Sequence, residues 1–125
     1  HDGARPLVPA EGITKAVAKA AKFGAAAPAI PVKDTIKVSE SGAVDATPRR
    51  ETLFAVQTPQ VFDAELLKAA LQDALRANAA LTDDCSAVER VGKEVHLTAG
   101  DRENIKITTP LDLAVAEVIL QRRGE

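Results

Sequence analysis

The fold is decided by the stretch Asn104-Ile105-Lys106-Ile107-Thr108-Thr109-Pro110-Leu111-Asp112. Ile105 and Ile107 bracket Lys106, so a strand at this point would place both apolar side chains on one face and the lysine on the other. The first half of the stretch therefore predicts a short, half-buried strand that carries a basic side chain.

The second half of the stretch has the residue types of a helix start. Thr109 suits the N-cap, Pro110 the first helical position and Asp112 the first turn. A strand that runs directly into a helix brings Lys106 close to free backbone N–H groups, and this is a phosphate-binding geometry. The alternative is a solvated Lys106 beside an ordinary cap, since strand, cap and helix are the usual parts of an α/β unit.

Composition narrows the class of protein. A chain of 125 residues has room for one domain. The net charge of −2 argues against a nucleic-acid-binding protein, which usually has a basic excess. No apolar run approaches the roughly 20 residues of a membrane span. The lone Cys85 has no second cysteine to pair with, and this fits a cytoplasmic protein.

The chain opens on a loop with two charged residues of opposite sign. Asp2 and Arg5 lie three positions apart in a loop that Gly3 makes tight and Pro6 closes. The pair is either a local surface ion pair or a site in which a carboxylate and a guanidinium hold a polyol or a metal-bound phosphate. The loop looks like one that follows a buried strand, so we expect the chain to be a fragment.

The remaining pattern alternates helices and strands. Residues 27–32 predict a short buried strand, which Pro28 and Pro31 would confine to an edge or a bulge. Residues 33–47 alternate about a Gly-containing turn and predict a polar ribbon without a core of its own. Helices are predicted at 11–23, 63–78 and 82–90, and further strands at 53–57 and 95–98.

Other candidate sites are weaker. Asp83 and Asp84 are acids at a predicted helix start, where the helix dipole favours them without a metal. His96 alternates with apolar residues and is expected to face outward. No Cys/His spacing suits zinc, no Ser/His/Asp order suggests a hydrolase, and no Gly-rich phosphate loop is present.

Five motifs recur in one family in this order and spacing. They are His1-Asp2-Gly3-Ala4-Arg5-Pro6, Lys33-Asp34-Thr35-Ile36-Lys37, Gln57-Thr58-Pro59-Gln60-Val61-Phe62, Thr82-Asp83-Asp84-Cys85-Ser86-Ala87 and Asn104-Ile105-Lys106-Ile107-Thr108. The chain resembles the 2-C-methyl-D-erythritol 4-phosphate cytidylyltransferases of the non-mevalonate isoprenoid pathway, and the resemblance covers nearly all of it.

The resemblance implies an α/β fold of the nucleotidyltransferase type, which is Rossmann-like with a mostly parallel sheet. A protruding β-arm, at about residues 33–57, would clasp a second subunit and make a homodimer. The implied reaction joins methylerythritol phosphate to CTP and releases pyrophosphate, with Mg²⁺ present. Such phosphoryl chemistry depends on positioning and charge stabilisation.

The resemblance also implies a set of substrate-binding residues. Those acting within one subunit are Asp2, Arg5, Thr58, Thr82 and Lys106. Those on the arm, reaching the phosphate held by the neighbouring subunit, are Thr35 and Arg50, with Arg49 as the alternative to Arg50. Asp2 is also a candidate metal ligand.

The same resemblance assigns the chain to the C-terminal half of the family's single domain. The Gly-rich CTP loop with its Lys and Arg would lie in the other half, so we expect this fragment to be inactive alone. Two alternatives remain at this point: a ribitol-5-phosphate cytidylyltransferase, or a non-catalytic dimerisation module of the same fold.

Overall fold

A computed structural model describes residues 1–124 of the chain and shows four α-helices around a four-stranded sheet. In chain order these elements are α1 (Ala10–Phe23), β1 (Ala25–Pro31), β2 (Phe54–Val56), β3 (Val61–Phe62), α2 (Ala64–Arg76), α3 (Asp84–Arg90), β4 (His96–Ala99) and α4 (Pro110–Arg122). A single 3₁₀ turn at Arg50–Thr52 precedes β2.

Strand β1 is the centre of the sheet. Its first residues pair with β3 and its last with β2, both antiparallel, whereas β4 pairs with it in parallel. The expected mostly parallel sheet is therefore not what the described residues form. The reason is the connections: the chain folds back between β1 and β2, and only β4 is reached through intervening helices.

The edge position expected for the proline-containing strand is wrong. Pro28 lies between the stretch of β1 that pairs with β3 and the stretch that pairs with β2, and its carbonyl accepts from the backbone N–H of Gln57 at 2.8 Å. The N–H and C=O of one strand residue point to the same side of the strand. The N–H that Pro28 lacks would therefore point toward β2 and β3, at the place where the pairing of β1 changes from one to the other. A central proline is tolerated for this reason.

The predicted helix starts are confirmed. Asp63 accepts from the backbone N–H of Leu66 at the start of α2, and Asp83 accepts from that of Ser86 at the start of α3. Thr109 and Asp112 form a reciprocal capping box at the start of α4. Each of these side chains satisfies helix N–H groups that would otherwise have no partner.

Residues 104–108 lie outside the sheet, so the strand predicted there is wrong. The backbone N–H of Ile107 donates to the carbonyl of Ala4 at 2.8 Å, and this bond helps to tie the segment to the opening loop. The predicted apolar face is nevertheless present, since Ile105 and Ile107 pack against a cluster of Leu7, Ala116 and Ile119.

The core is built from small residues. Ala25, Ala70, Ala87 and Val88 are fully buried in one cluster, which brings α2 and α3 against β1. Alanine permits this close approach of helix to strand, in keeping with a chain that has only three phenylalanines and no other aromatic residue. Among residues 1–124, no helix has both the length and the apolar character needed to cross a bilayer.

The linking segment between β1 and β2 (residues 33–53) is only partly the expected ribbon. Every residue from 33 to 47 is exposed, and one antiparallel bridge, Val38 with Ala46, is the only pairing that the structure records within it. Its large apolar side chains Ile36, Val38 and Val44 stay exposed and form no core, so backbone pairing alone does not order the segment into two strands. Its role as a protruding arm is not confirmed.

Candidate functional site

Three separate segments meet to form the candidate site. They are the opening loop at residues 1–6, the turn between β2 and β3 at residues 57–60, and the segment at 104–108 that leads into α4. The sheet fixes the second segment, and the capped α4 fixes the third. The resulting site lies beside the point where β1 changes its partner from β3 to β2.

Asp2 is the centre of the site. One of its carboxylate oxygens accepts from the backbone N–H of Ala4 at 2.9 Å, and the other lies 3.4 Å from Nζ of Lys106. The bond from Ala4, together with the charges of Lys106 and Arg5, outweighs the opposing effect of desolvation and lowers the pKa of Asp2. Asp2 is therefore a carboxylate at neutral pH and can accept hydrogen bonds from ligand hydroxyl groups.

Thr58 holds the opening loop from the other side. Its hydroxyl oxygen accepts from the backbone N–H of Asp2 at 3.1 Å and lies 3.0 Å from Nδ1 of His1. The second ring nitrogen of His1 lies 3.0 Å from the carbonyl oxygen of Arg5. Asp2 thus contacts both Thr58 and Lys106, and all three are residues that the resemblance implies for the substrate site.

Arg5 points its guanidinium group into the protein. Its Nη1 donates to the carbonyl oxygen of Asn104 at 2.5 Å, and partial burial lowers its pKa while the charge of Asp2 opposes that shift. Arginine stays protonated despite such shifts. The side chain consequently adds positive charge next to Asp2 and also joins the opening loop to the segment that carries Lys106.

Thr82 lies to one side of this cluster. Its hydroxyl is 2.8 Å from that of Ser86, and Thr82 lines a cavity of about 450 Å³ bounded by β2 and α3. The neighbouring Asp83 lines both this cavity and a second one, of about 270 Å³, that also contains Asp2 and Thr58. Thr82 is therefore near the site without touching Asp2, Arg5 or Lys106.

Asp83 owes its ionised state to its neighbours. Burial opposes the charge, but hydrogen bonds from the hydroxyl and backbone N–H of Ser86 and from the amide of Gln60 outweigh burial and lower the pKa of Asp83. The carboxylate is used within the protein in this way, as a helix cap, and this agrees with the reading of Asp83 from the sequence.

The two arm residues lie apart from the cluster. Thr35 is exposed, and Arg50 donates from Nη1 to the carbonyl oxygen of Lys33 at 2.9 Å. Arg49 lies 3.7 Å from Glu51 on the surface. Within this one chain, the linking segment does not bring Thr35 or Arg50 to Asp2.

The residues around Asp2 do not fit a resident metal ion. Both carboxylate oxygens already have partners, and one partner is the ammonium group of Lys106, which repels a cation. Across residues 1–124, no three side chains of the His, Cys, Asp and Glu types form a group suited to metal binding. Mg²⁺ in phosphoryl-transfer enzymes is often held mainly by substrate phosphates, so the protein does not need to supply a full set of ligands.

Sequence reasoning missed the polar side chains beneath the site. Gln57 and Asn104 are 4% and 2% exposed, and both contact its backbone. A signal was available for Gln57, which stands between the apolar run at residues 53–56 and the predicted binding residue Thr58. Asn104 lies two positions before Lys106 without such a run, and His1 and Gln60 line the 270 Å³ cavity.

Comparison with known protein families supports a single relationship. A family model described as 2-C-methyl-D-erythritol 4-phosphate cytidylyltransferase matches residues 1–122. A protein of that name from Desulforamulus reducens is 54% identical over 125 residues, which cover 99% of this chain and 53% of that protein. One from Caldanaerobacter subterraneus subsp. tengcongensis is 52% identical over 98% of this chain and 54% of its own length.

Solved structures give the same relationship. The crystal structure of 2-C-methyl-D-erythritol 4-phosphate cytidylyltransferase from Thermus thermophilus matches 97% of this chain and 60% of its own, with a TM-score of 0.87 and 37% identity. That of 4-diphosphocytidyl-2C-methyl-D-erythritol synthase from Anaerococcus prevotii matches 97% and 55%, with a TM-score of 0.89 and 35% identity. The chain spans about half the length of the curated relatives it matches.

Proposed function

Because this chain belongs to the 2-C-methyl-D-erythritol 4-phosphate cytidylyltransferase family, we propose that the whole protein transfers a cytidylyl group from CTP to 2-C-methyl-D-erythritol 4-phosphate. The products are CDP-methylerythritol and pyrophosphate. The relatives and solved structures described above carry names of this one activity, and this favours methylerythritol phosphate over ribitol 5-phosphate as the acceptor.

One observation of the structure supports the proposal above all others. Asp2, Thr58 and Lys106 come from three distant segments of the chain, and Asp2 lies within hydrogen-bonding distance of Thr58 and ion-pairing distance of Lys106. An anionic acceptor, a hydroxyl and an ammonium group are what a ligand with several hydroxyl groups and one phosphate requires.

The proposed roles follow from these chemical types. Asp2 and Arg5 hold the hydroxyl groups of the acceptor, Thr58 and Thr82 add hydrogen bonds, and Lys106 neutralises part of the phosphate charge. A phosphate oxygen of the acceptor attacks the α-phosphorus of CTP in line, and pyrophosphate leaves from the opposite side. The side chains of this chain accelerate the step by positioning the attacking group and stabilising charge.

The linking segment is part of the proposal. Its exposure from residue 33 to 47 leaves Thr35 free to reach another subunit, and Arg50 lies at its end. We therefore propose that the protein is a homodimer in which this arm brings Thr35 and Arg50 to the acceptor phosphate in the neighbouring subunit.

Several further expectations stay proposals. The chain spans about half the length of the curated relatives it matches, and the inactivity of residues 1–125 alone remains a prediction. Mg²⁺ is proposed to accompany the substrate phosphates, without a ligand role for Asp2. A cytoplasmic location is proposed as well, supported by the lone Cys85.

The experiment is a pyrophosphate-release assay on the full-length protein with CTP and either methylerythritol phosphate or ribitol 5-phosphate. We expect kcat/KM to be at least about 10-fold higher for methylerythritol phosphate, since ribitol 5-phosphate has one more chain carbon and one more hydroxyl group, and a difference of one carbon or hydroxyl is discriminated about 10- to 200-fold. Preference for ribitol 5-phosphate would overturn the acceptor. Absence of pyrophosphate release with both acceptors would overturn the transferase itself and favour a non-catalytic module.

A further inference from the structure

The two buried polar side chains of the site, Gln57 and Asn104, lie directly behind the binding residues. They are 4% and 2% exposed, although both carry an amide group with donors and acceptors. Burying such a group is unfavourable unless its hydrogen bonds are made inside the protein. Their presence beneath the site therefore needs a compensating set of bonds.

Gln57 supplies most of these bonds. Its Nε2 donates to the carbonyl oxygens of Asp101 at 2.8 Å and Asn104 at 3.4 Å. Its Oε1 accepts from the backbone N–H of Asp101 at 3.2 Å and from Nδ2 of Asn104 at 3.4 Å. One glutamine side chain thus fixes both ends of the turn at residues 101–104.

Asn104 connects the turn at residues 101–104 to the binding residues by hydrogen bonds. Its Nδ2 donates to the carbonyl oxygen of Thr58 at 3.0 Å, and its own carbonyl oxygen accepts from Nη1 of Arg5 at 2.5 Å. Lys106 follows two residues later on the same segment. Asn104 therefore contacts Arg5 of the opening loop and Thr58 of the turn between β2 and β3, and it belongs itself to the segment that carries Lys106.

The space beside Gln57 is tight on the side of Gly100. A Cβ atom added at Gly100 would lie 2.7 Å from Oε1 of Gln57 and 2.9 Å from the carbonyl oxygen of Ala29 in β1. Real Cβ atoms essentially never approach other atoms so closely. Gln57 is consequently held against the central strand of the sheet, and the sheet is the rigid support on which the site rests.

We propose that Gln57 and Asn104 are positioning residues, a buried amide pair that sets the geometry in which Arg5, Thr58 and Lys106 meet the acceptor substrate. This inference rests on the proposed function and adds to it two residues that touch no substrate. An amide is required at each position because Gln57 donates to two backbone carbonyl oxygens and Asn104 to one, and because Asn104 also donates to the amide oxygen of Gln57.

The test replaces the amide group of each side chain with a carboxylate group of nearly the same shape. In the full-length protein, Asn104→Asp removes the donor to the carbonyl oxygen of Thr58, and Gln57→Glu removes the donor to the carbonyl oxygens of Asp101 and Asn104. The matched controls are Asn78→Asp and Gln72→Glu, which make the same chemical changes at exposed positions of α2 and its end. We expect KM for methylerythritol phosphate to rise about tenfold in both site variants, with KM for CTP and both control variants unchanged.

KM separates positioning from folding, because it does not depend on the amount of folded enzyme. A lowered Tm with an unchanged KM for methylerythritol phosphate would show a structural role only and would overturn the proposal. If the charged variants fail to fold, the exchange Gln57→Asn with Asn104→Gln retains both amides but moves each by one methylene group. It should raise the same KM, and wild-type kinetics in that variant would equally overturn the proposal.

A second readout is independent of turnover. The guanidinium NMR signals of Arg5 should shift in Asn104→Asp and stay at their wild-type positions in Asn78→Asp. Unchanged Arg5 signals would contradict the positioning role, whatever the activity. Absence of turnover in the wild-type protein would instead overturn the proposed function, so the two failures can be told apart.

Discussion

The ammonium group of Lys106 lies 3.4 Å from a carboxylate oxygen of Asp2, although the two residues come from opposite ends of the described chain. The side chains are 53% and 30% exposed, and an ion pair with this much access to water contributes about 0–1 kcal/mol to stability. Such a contact does little to hold the fold together. Its value lies in placing one negative and one positive group together where a ligand can reach both.

The first prediction concerns Lys106. In the full-length enzyme, Lys106→Ala removes a charge-assisted hydrogen bond worth about 1.5–3 kcal/mol, so kcat/KM for methylerythritol phosphate should fall roughly 10- to 150-fold. CTP affinity should change little. Lys68→Ala, in an exposed pair with Glu65, is the control and should leave both values unaltered. Steady-state kinetics that show unchanged acceptor values, or a loss confined to CTP, would remove Lys106 from the site.

The second prediction concerns the linking segment. The backbone N–H of Val32 donates to the carbonyl oxygen of Leu53 at 3.2 Å, so residues 34–51 can be replaced by a short glycine linker without cutting the sheet. The full-length variant should sediment as a monomer in analytical ultracentrifugation if this segment clasps a second subunit. A dimer of undiminished stability, with a circular dichroism spectrum that shows an intact fold, would contradict the arm.

The third prediction concerns acid stability. The backbone N–H of Thr108, followed by the Thr109 cap, lowers the pKa of Asp112 below its usual value near 3.8. Because the folded pKa is the lower one, Asp112 contributes stability that is fully present above about pH 4 and is lost as the pH falls through the folded pKa. Asp112→Asn should lower the urea midpoint of the full-length protein at pH 7. At pH 2–3 the urea midpoints of wild type and variant should lie closer together than at pH 7. An equal difference at both pH values would contradict the role of the charge.

The fourth prediction compares two glycines. Gly100→Ala forces a Cβ against Gln57 and the backbone of β1, so it should destabilise the protein by about 1–3 kcal/mol or more. Gly12 lies in α1 with no atom within 4 Å of an added Cβ, so Gly12→Ala should be neutral to stabilising, by up to about 1 kcal/mol. Urea unfolding of both variants measures the difference. Equal midpoints would show that the space beside Gln57 is not tight.

The sequence by itself determined the local elements and the chemistry of the site. Capping residues such as Thr109 and Asp63 act through neighbours within one turn, so the sequence alone identified their helix starts correctly. The charged and hydroxyl groups of Asp2, Thr58 and Lys106 were equally visible, because side-chain chemistry does not depend on the fold.

Only the tertiary structure decided how distant segments combine. The central position of β1 and the direction of its neighbours depend on which strands meet, and a local pattern does not carry that information, so Pro28 suggested an edge that the sheet does not have there. The same holds for Gln57 and Asn104. Their burial comes from contacts between residues far apart in the chain, and only the folded arrangement makes two ordinary amides the support of the site.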